Sequence, residues 1–383
     1  MALIQRGNLP TNYVDLKTRV DANLMLPTPE PQYLFAQMAM AGRLSLASID
    51  AGATTVQQFV SMNGGGAEGD KDLARLMIVS EQMPNAVTAV DAFGLGLGDT
   101  VKFDRDVYST GGLTEADREH TTGSTVSTTG LTITEEEIPV VLKQYMGPYD
   151  ASGSGVQPYG ISEFDAKWRA NKEKLVSKVT RRLVRDYTYW LDTVIRLRYQ
   201  ASTYTTLSDA DYSDVTEYVA GGNSRFTSEQ LLRARQALVD RHWQPFPDGR
   251  YKCIVPTVFN AHMQYDLDYR DRSKNFADGR NLIHGYIGTF QDIDLYECAT
   301  TTTWAAASTF TGTGTGTVPT SVTLEEGLLF GPGVVGMGTA LSPETRFSDS
   351  TNYGLEALVI WYALHAFQTL DQRGVQRIVA QST

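Results

Sequence analysis

Cysteine, histidine and long apolar runs are all scarce in this sequence. It has two cysteines and five histidines among 383 residues. Two cysteines cannot form a disulfide framework, and Cys253 lies in an apolar strand-like run, so we expect a buried thiol there. No stretch approaches the ~18 apolar residues of a membrane helix, and the first residues lack the apolar core of a signal peptide. We therefore expect neither a disulfide-rich secreted protein nor a membrane protein.

Motifs for catalysis or cofactor binding are also scarce. The histidines never occur at metal-ligand spacing, and no Gly-x-Ser-x-Gly motif marks a nucleophile. Residues 331–336 match the letters of the dinucleotide fingerprint, but no helix pattern follows, so we interpret them as a turn at a strand end. Asp266 and its neighbouring aspartates lack the glycine and glutamate of a calcium loop. We expect no catalytic, cofactor or metal site, although a triad using His262 or His284 remains open.

Composition indicates a folded protein with an acidic balance. The hydrophobic fraction is 42%, and the formal net charge is -11. A chain of this length forms about two domains or one elaborated domain. The negative charge argues against a dedicated nucleic-acid binder, which normally carries a basic excess, but it leaves room for a locally basic face.

Residues 98–145 predict a long polar hairpin. Segments 99–108 and 131–142 alternate apolar with polar residues at the period of a strand, and the tip at 109–130 has little to bury. Two strands without a packed face are marginally stable in water. We therefore expect this hairpin to need a partner surface that the rest of the chain does not obviously provide. That requirement points to a protein whose function is assembly.

A helix of unusual length is predicted next, over about 161–200, with Ser162 as its N-cap. Apolar residues recur at steps of three, four or seven from Ile161 to Leu197, and forty residues span about 60 Å. The predicted core face of the helix consists of Trp168, Leu175, Val179, Leu183, Trp190 and Val194.

Charge is divided between the helix and the hairpin. Residues 161–200 have ten basic and five acidic side chains, a net +5, whereas residues 91–145 have ten acidic and four basic, a net -6. Complementary patches of this kind steer association and fix register. The predicted basic row on the helix is Lys174, Lys178, Arg181, Arg182 and Arg185. The predicted inter-subunit residues of the hairpin are Lys102, Arg105, Glu115, Asp117, Arg118, Glu119, Glu135, Glu136 and Glu137.

The remaining pattern alternates helices and strands. The N-terminal part, 1–60, is interrupted by prolines and has one short helix pattern at 32–41. Residues 300–320 are rich in Thr and Gly and predict an inserted surface loop. Further elements are predicted at 227–239 (a helix capped by Thr227 or Ser228), 251–256 (a strand), 258–267 (a helix), 287–296, 355–367 and 375–380 (two apolar strands).

This order of elements resembles the major capsid protein of tailed bacteriophages, which has the Hong Kong ninety-seven type fold. Segments 98–103 (Gly-Asp-Thr-Val-Lys-Phe) and 131–145 look like the two arms of its extended loop. Segments 251–256 and 283–288 look like the axial domain of the subfamily in short-tailed phages. The implied fold is α+β: an N-terminal arm (1–60), a peripheral domain with the spine helix (61–97, 146–226, 331–383), an extended loop (98–145) and an axial domain (227–330) with the insert 300–320.

The resemblance implies a structural protein, without enzymatic activity, that assembles with itself. Hexamers and pentamers would build an icosahedral shell around double-stranded DNA, bound on the inner face without sequence specificity. A separate scaffolding protein, a portal protein at one vertex and a cement protein are the implied partners. The implied location is the virion capsid, after synthesis in the host bacterial cytoplasm. An encapsulin-like non-viral shell and a two-domain α/β enzyme remain as alternatives.

Overall fold

Two β-sheets and one long helix organise the chain. The structure is a computed structural model, and it describes residues 33–50, 79–106, 135–149, 155–162, 172–208, 211–219, 224–266, 269, 286–312, 314–347 and 356–382. The helices are α1 Leu34–Asp50, α2 Lys172–Gln200, α3 Ser228–Asp240 and α4 Thr257–Tyr265. The strands are β1 Val87–Asp91, β2 Thr100–Asp106, β3 Glu135–Val141, β4 Lys143–Gly147, β5 Tyr159–Ser162, β6 Thr205–Leu207, β7 Tyr251–Val255, β8 Tyr286–Phe290, β9 Ile293–Glu297, β10 Thr303–Trp304, β11 Thr309–Phe310, β12 Gly316–Thr317, β13 Leu324–Phe330, β14 Val335–Phe347, β15 Glu356–Thr369 and β16 Val375–Gln381.

The first sheet has five strands in the order β1-β14-β15-β4, and β5 also pairs with β15. Strand β1 runs parallel to β14, and the other pairs are antiparallel. Strand β15 is long enough for β5 and β4 to pair with successive parts of it, opposite Glu356–Val359 and Trp361–His365 respectively. This sheet carries α2 on one side, where Trp361, Ala363 and Phe367 enter the main hydrophobic core.

The second sheet has seven strands in the order β6-β16-β13-β7-β9-β8, with β10 also on β13. Helices α3 and α4 pack on it through a separate apolar cluster that includes Leu231, Leu238 and Phe259. Strands β6 and β16 lie in segments that were predicted to belong to the peripheral domain, but both pair in this sheet. The C-terminal strand β16 thus crosses back to pair with β13.

The long helix begins later than predicted. Ile161 and Ser162 lie in strand β5, where Ile161 pairs with Ala357 and Ser162 with Glu356. The predicted N-cap at Ser162 is therefore wrong. The reason is tertiary: the edge of β15 pairs with this segment over four residues, and such pairing overrides a local helical pattern. The described helix α2 has 29 residues.

The apolar stripe of α2 also departs from the predicted one in its second half. Leu183, Tyr187, Leu191, Ile195 and Tyr199 are fully buried, at a regular spacing of four residues. Leu197, which the sequence pattern places on the stripe, is 54% exposed. A row with four-residue spacing winds around the helix. It does so here because α1 and the two sheets cover successive sides, as Phe35 against Tyr199 and Trp361 against Tyr187 illustrate.

Several local predictions are confirmed. Helix α3 begins after Thr227, whose hydroxyl accepts a hydrogen bond from the backbone N–H of Gln230. The strand with Cys253 is β7, where the thiol is buried and unpaired with any cysteine. The two C-terminal apolar runs form β15 and β16, and residues 331–334 form the turn between β13 and β14.

The segment 300–320 is packed, whereas the sequence predicted a surface loop. It contributes β10, β11 and β12, and Phe310 and Val318 are fully buried. These side chains form a small core with Leu207, Val215 and Val379. The glycines permit this packing: a Cβ on Gly312 would lie 2.7 Å from the Thr205 hydroxyl and 2.9 Å from the Arg377 guanidinium.

None of the helices among the described residues is both long enough and apolar enough to cross a membrane.

The two leucines of α2 give a matched pair for testing this packing. Leu183→Ala should lower the free energy of unfolding by ~2–5 kcal/mol, because it removes fully buried methyl groups and leaves a cavity. Leu197→Ala makes the same chemical change on the same helix at an exposed position, and should change the stability by less than about 0.5 kcal/mol. Chemical denaturation of the purified subunit measures both. Equal effects of the two substitutions would contradict the assignment of the buried face.

Candidate functional site

The predicted hairpin is present, and its arms are β2 and β3. The strands pair antiparallel from Thr100 opposite Val141 to Asp106 opposite Glu135. Near the base, the Lys102 ammonium lies 2.5 Å from a carboxylate oxygen of Glu137, and both side chains are more than half exposed. An exposed pair of this kind contributes about 0–1 kcal/mol. The hairpin is therefore stabilised by the backbone pairing of its two strands and by the packing of its base on the rest of the chain.

The base of the hairpin packs on the first sheet of its own chain. Val101 and Phe103 are buried together with Val140 and Leu142 in a cluster that also contains Ala366. Two glycines in β14 make room for these side chains: a Cβ on Gly336 would lie 2.7 Å from a Phe103 ring carbon, and one on Gly338 would lie 3.1 Å from Val101. The expectation that the chain offers the hairpin no surface is therefore wrong for its base.

The other predicted hairpin residues are only partly described. Arg105, Glu135 and Glu136 lie on β2 and β3, with Arg105 opposite Glu136 in the backbone register. The positions of their side chains fall outside the description. Glu115, Asp117, Arg118 and Glu119 lie outside the described residues.

The predicted basic row lies along one side of α2. Lys178, Arg181, Arg182 and Arg185 are all exposed, at the three- and four-residue spacing that places helical residues on one face. The Arg182 guanidinium lies 5.9 Å from the centre of the Tyr159 ring, a cation–π contact that orients it over β5. Lys174 belongs to the same helix, one turn before Lys178. The described members of the row thus form a continuous exposed cationic surface.

The predicted core residues of α2 divide into three groups. Val179 and Leu183 are buried. Trp190 and Val194 are half-buried and pack against the main core, where the Trp190 ring lies 4.7 Å from that of Tyr145. Leu175 lies on the helix with its side chain outside the description, and Trp168 lies outside the described residues.

The sequence reasoning missed a polar junction on α2. Asp192, Arg196 and Gln200 follow one another at four-residue spacing and contact the segment after β9. The Asp192 carboxylate accepts hydrogen bonds from the Thr300 hydroxyl at 2.7 Å and from the backbone N–H of Ala36, at the start of α1, at 3.1 Å. The Arg196 guanidinium donates to the Thr300 carbonyl, and the Gln200 amide donates to the Thr302 hydroxyl. One face of α2 therefore joins α1 to the seven-stranded sheet.

Burial changes the proton affinity of this junction. Desolvation raises the pKa of Asp192 to about 6, against the opposing effects of the hydrogen bonds from Thr300 and Ala36 and of the Arg196 charge. Burial also raises the pKa of the nearby Cys298 thiol, and the charge of Asp192 adds to the effect. A polar residue every fourth position on an otherwise apolar side of the helix is the sequence signal that would have identified the junction.

Two buried ion pairs lie in the seven-stranded sheet, and a buried histidine lies in the five-stranded sheet. Arg377 and Glu326 pair across β16 and β13 with the Arg377 Nε 2.6 Å from a Glu326 oxygen, and the Lys252 ammonium lies 2.7 Å from the carboxylate of Asp294. His365 lies between Tyr187 and Thr339, and burial lowers its pKa to about 3, so its ring is neutral. Across the described ranges, no three His, Cys, Asp or Glu side chains converge as a metal site.

The fold has clear counterparts among solved structures. The capsid of Ralstonia phage GP4 matches with a TM-score of 0.51 and 14% identity, over 78% of this chain and 87% of that chain. The capsid of cyanophage Pam1 matches with a TM-score of 0.52 and 13% identity, over 80% and 92%. This chain has the fold of phage capsid proteins. The predicted α+β capsid fold of the Hong Kong ninety-seven type is thereby confirmed. No family model and no curated protein matches the sequence.

The polar junction predicts an unusual pH dependence for one substitution. A carboxyl group whose pKa is higher in the folded than in the unfolded protein contributes stability below the unfolded pKa and loses it as the pH rises through the folded pKa. Asp192 should therefore cost stability as the pH rises from about 4 to about 7. Asp192→Asn cannot ionise and keeps partners for Ala36 and Thr300, so it should be more stable than the wild type at pH 7.5, by on the order of 2–3 kcal/mol.

Denaturant unfolding of both proteins from pH 4 to pH 8 measures this difference, which should shrink towards acid pH. Asp192→Ala is the matched variant: it also removes the charge, but it leaves the N–H of Ala36 and the hydroxyl of Thr300 without this partner, so it should be less stable than Asp192→Asn throughout. A constant difference between Asp192→Asn and the wild type across this range would contradict a raised pKa.

Proposed function

We propose that this chain is the structural major capsid protein of a tailed bacteriophage. It forms hexamers and pentamers of an icosahedral shell that encloses double-stranded DNA, and it has no enzymatic activity. The observation that supports the proposal is the capsid fold shared with the Ralstonia phage GP4 and cyanophage Pam1 capsids over about four-fifths of the chain. The proposed location is the virion capsid, reached after synthesis in the bacterial cytoplasm.

The two sheets correspond to the two domains of this proposal. The five-stranded sheet with α2 forms the peripheral domain, and the seven-stranded sheet with α3 and α4 forms the axial domain. The hairpin is the extended loop that reaches a neighbouring copy. Its anchored base supports this role: Phe103 is held over Gly336, so the direction in which the strands leave the sheet is fixed by the subunit itself. A preset direction lowers the entropy cost of the contact with the neighbour.

Partners beyond the shell itself belong to the same proposal. A separate scaffolding protein assists assembly, a portal protein occupies one vertex, and a cement protein is a further candidate at the outer surface. Packaged DNA lies against the inner face. The exposed basic row of α2 suits that contact, because lysine and arginine bind phosphates without reading the bases.

Assembly of the purified protein tests the proposed function. Negative-stain microscopy should show shells or curved sheets of hexamers. Gly336→Ala places a Cβ against the Phe103 ring and should lower the yield of shells several-fold through displacement of the hairpin base. Gly155→Ala is the matched control, because a Cβ there meets nothing within 4 Å. Discrete small particles at all concentrations would contradict a shell protein, and shells filled with a host protein would favour the encapsulin-like alternative.

Charge reversal of the basic row tests the DNA contact. The variant with Lys178, Arg181, Arg182 and Arg185 all replaced by glutamate should retain less DNA than the wild type, and the loss should be smaller for the four glutamine substitutions, which remove charge without reversing it. DNA content of purified particles and its dependence on salt measure the effect. If both variants retained wild-type DNA and formed wild-type amounts of shell, the row would be an ordinary solvated face.

A further inference from the structure

The connection between β1 and β2 exposes large apolar side chains in a defined conformation. In the loop 92–99, Phe93 is 63% exposed, Leu95 is 40% and Leu97 is 62%. Val141, on the adjoining end of β3, is also exposed. Single exposed apolar residues are ordinary on protein surfaces, whereas three within five residues of one turn form a candidate interaction site. We refer to Phe93, Leu95 and Leu97 as the apolar loop cluster.

Backbone hydrogen bonds fix the shape of this loop. The N–H of Leu95 donates to the carbonyl of Ala92 at 3.1 Å, and the N–H of Asp99 donates to the carbonyl of Gly96 at the same distance. The Asp99 carboxylate in turn accepts from the N–H of Gly96 at 2.6 Å. The loop is joined to the hairpin base, because the N–H of Leu142 donates to the carbonyl of Asp99 at 2.8 Å. The exposed side chains therefore belong to a structured turn.

Glycine alternates with the apolar residues and permits this turn. Gly94 and Gly98 have φ angles of +95° and +90°, a region that other residues rarely adopt. A Cβ would meet no atom within 4 Å at either position, so the glycines are required by backbone conformation and leave the loop open to solvent. The sequence Phe-Gly-Leu-Gly-Leu-Gly thus specifies a turn with apolar side chains directed away from the core.

The charges around the cluster select a basic protein partner. Asp91 and Asp99 flank the loop, and Lys143 follows the hairpin base; all three are exposed, which leaves a small acidic excess around the loop. Acidic side chains disfavour an anionic membrane surface. This same chain carries a suitable basic surface at one end of the exposed row on α2, where Arg185 is followed one turn later by Tyr189, whose ring is also exposed. The row is then shared, and its remaining part, from Lys178, is left for the proposed contact with DNA. The apolar loop cluster and the acidic residues beside it on one copy are therefore complementary to the basic row and the exposed Tyr189 ring of a second copy.

The small size of the cluster is consistent with an array rather than an isolated dimer. A stable protein interface buries about 800 Å² on each partner, more than three side chains supply. Such a contact is weak for two free subunits and becomes effective when many contacts form together in a closed assembly. This behaviour allows subunits to remain separate at low concentration and to associate cooperatively above a threshold.

We propose that the apolar loop cluster docks on a second copy of this chain and sets the threshold concentration for assembly. The inference rests on the proposed shell function and assigns to it a contact distinct from the hairpin tip. Phe93, Leu95 and Leu97 supply the buried apolar centre of the contact, and the acidic residues beside them fix its register.

Assembly thresholds of matched variants test the contact. The variant Phe93→Ser, Leu95→Ser, Leu97→Ser should fold with the wild-type melting temperature, because all three side chains are exposed, and should raise the threshold concentration by at least about tenfold. The control replaces three other exposed apolar residues, Val219, Val239 and Tyr265, with serine. Light scattering against concentration measures the threshold. Equal thresholds for the loop variant and the control would overturn the inference.

Photo-crosslinking identifies the occupant directly. Both native cysteines are buried, so Leu95→Cys provides one accessible thiol for a benzophenone maleimide. Shells are assembled from a minority of benzophenone-labelled subunits in one nitrogen isotope and a majority of unmodified subunits in the other. A contact between two copies should then give cross-linked peptides that combine ¹⁴N and ¹⁵N. Cross-links confined to one chain, or formed only with scaffolding or cement protein, would overturn the inference. Shell formation by the unsubstituted protein is measured first, before any variant is compared. Its failure to form any shell would refute the proposed function instead of the docking contact.

Discussion

The structure depends on the burial of one helix by three separate surfaces. Leu183, Tyr187, Leu191, Ile195 and Tyr199 are fully buried along α2, and the row winds around the helix so that its successive parts meet α1 and both sheets. At 1.5 Å per residue, a helix of 29 residues spans about 44 Å. Close packing transmits position along such an element, since well-packed interiors deform little. The helix therefore shares one core with both sheets, because residues such as Phe330 of the second sheet and Trp361 of the first belong to the same apolar cluster.

The polar junction on the same helix adds specificity to this packing. An apolar stripe alone tolerates small shifts along the helix, because one methyl group replaces another at similar energy. The hydrogen bonds from Asp192 to Thr300 and to the N–H of Ala36 are directional, so they are satisfied in one register only. Desolvation of the carboxylate opposes them, as its raised pKa indicates. The junction thus gives up stability at neutral pH and contributes a defined placement of α1 and the segment 300–302.

Sequence patterns correctly predicted the elements whose secondary structure depends on neighbouring residues in the sequence. The Thr227 cap, the apolar runs of β7, β15 and β16, and the turn at 331–334 each follow from a short signal. The errors arose where contact with a segment distant in the sequence determines the secondary structure or the burial of a residue. Ile161 joins β15 because an unfilled strand edge lies beside it, and Leu197 is exposed because α1 covers the opposite side of α2. Phe310 is buried where Arg377, almost seventy residues later in the sequence, covers its ring and donates a hydrogen bond to the carbonyl of Thr311. For the candidate site, the basic row was predicted, whereas the apolar loop cluster was not, since the alternation of glycine with Phe93, Leu95 and Leu97 does not by itself indicate whether these side chains are buried or exposed.

The same distinction explains how a capsid fold persists at 13–14% identity to its structural counterparts. The core requires apolar residues at a spacing, glycines where Phe103 and Val101 approach β14, and a few directional polar contacts. Many sequences meet these requirements, so little identity is needed. Surface charge obeys a different constraint. Copies of a protein with a net charge of -11 repel one another at long range. In the proposed shell, orientations that bring the basic face of α2 near acidic segments reduce this repulsion, and complementary charge of this kind fixes register more than it adds affinity.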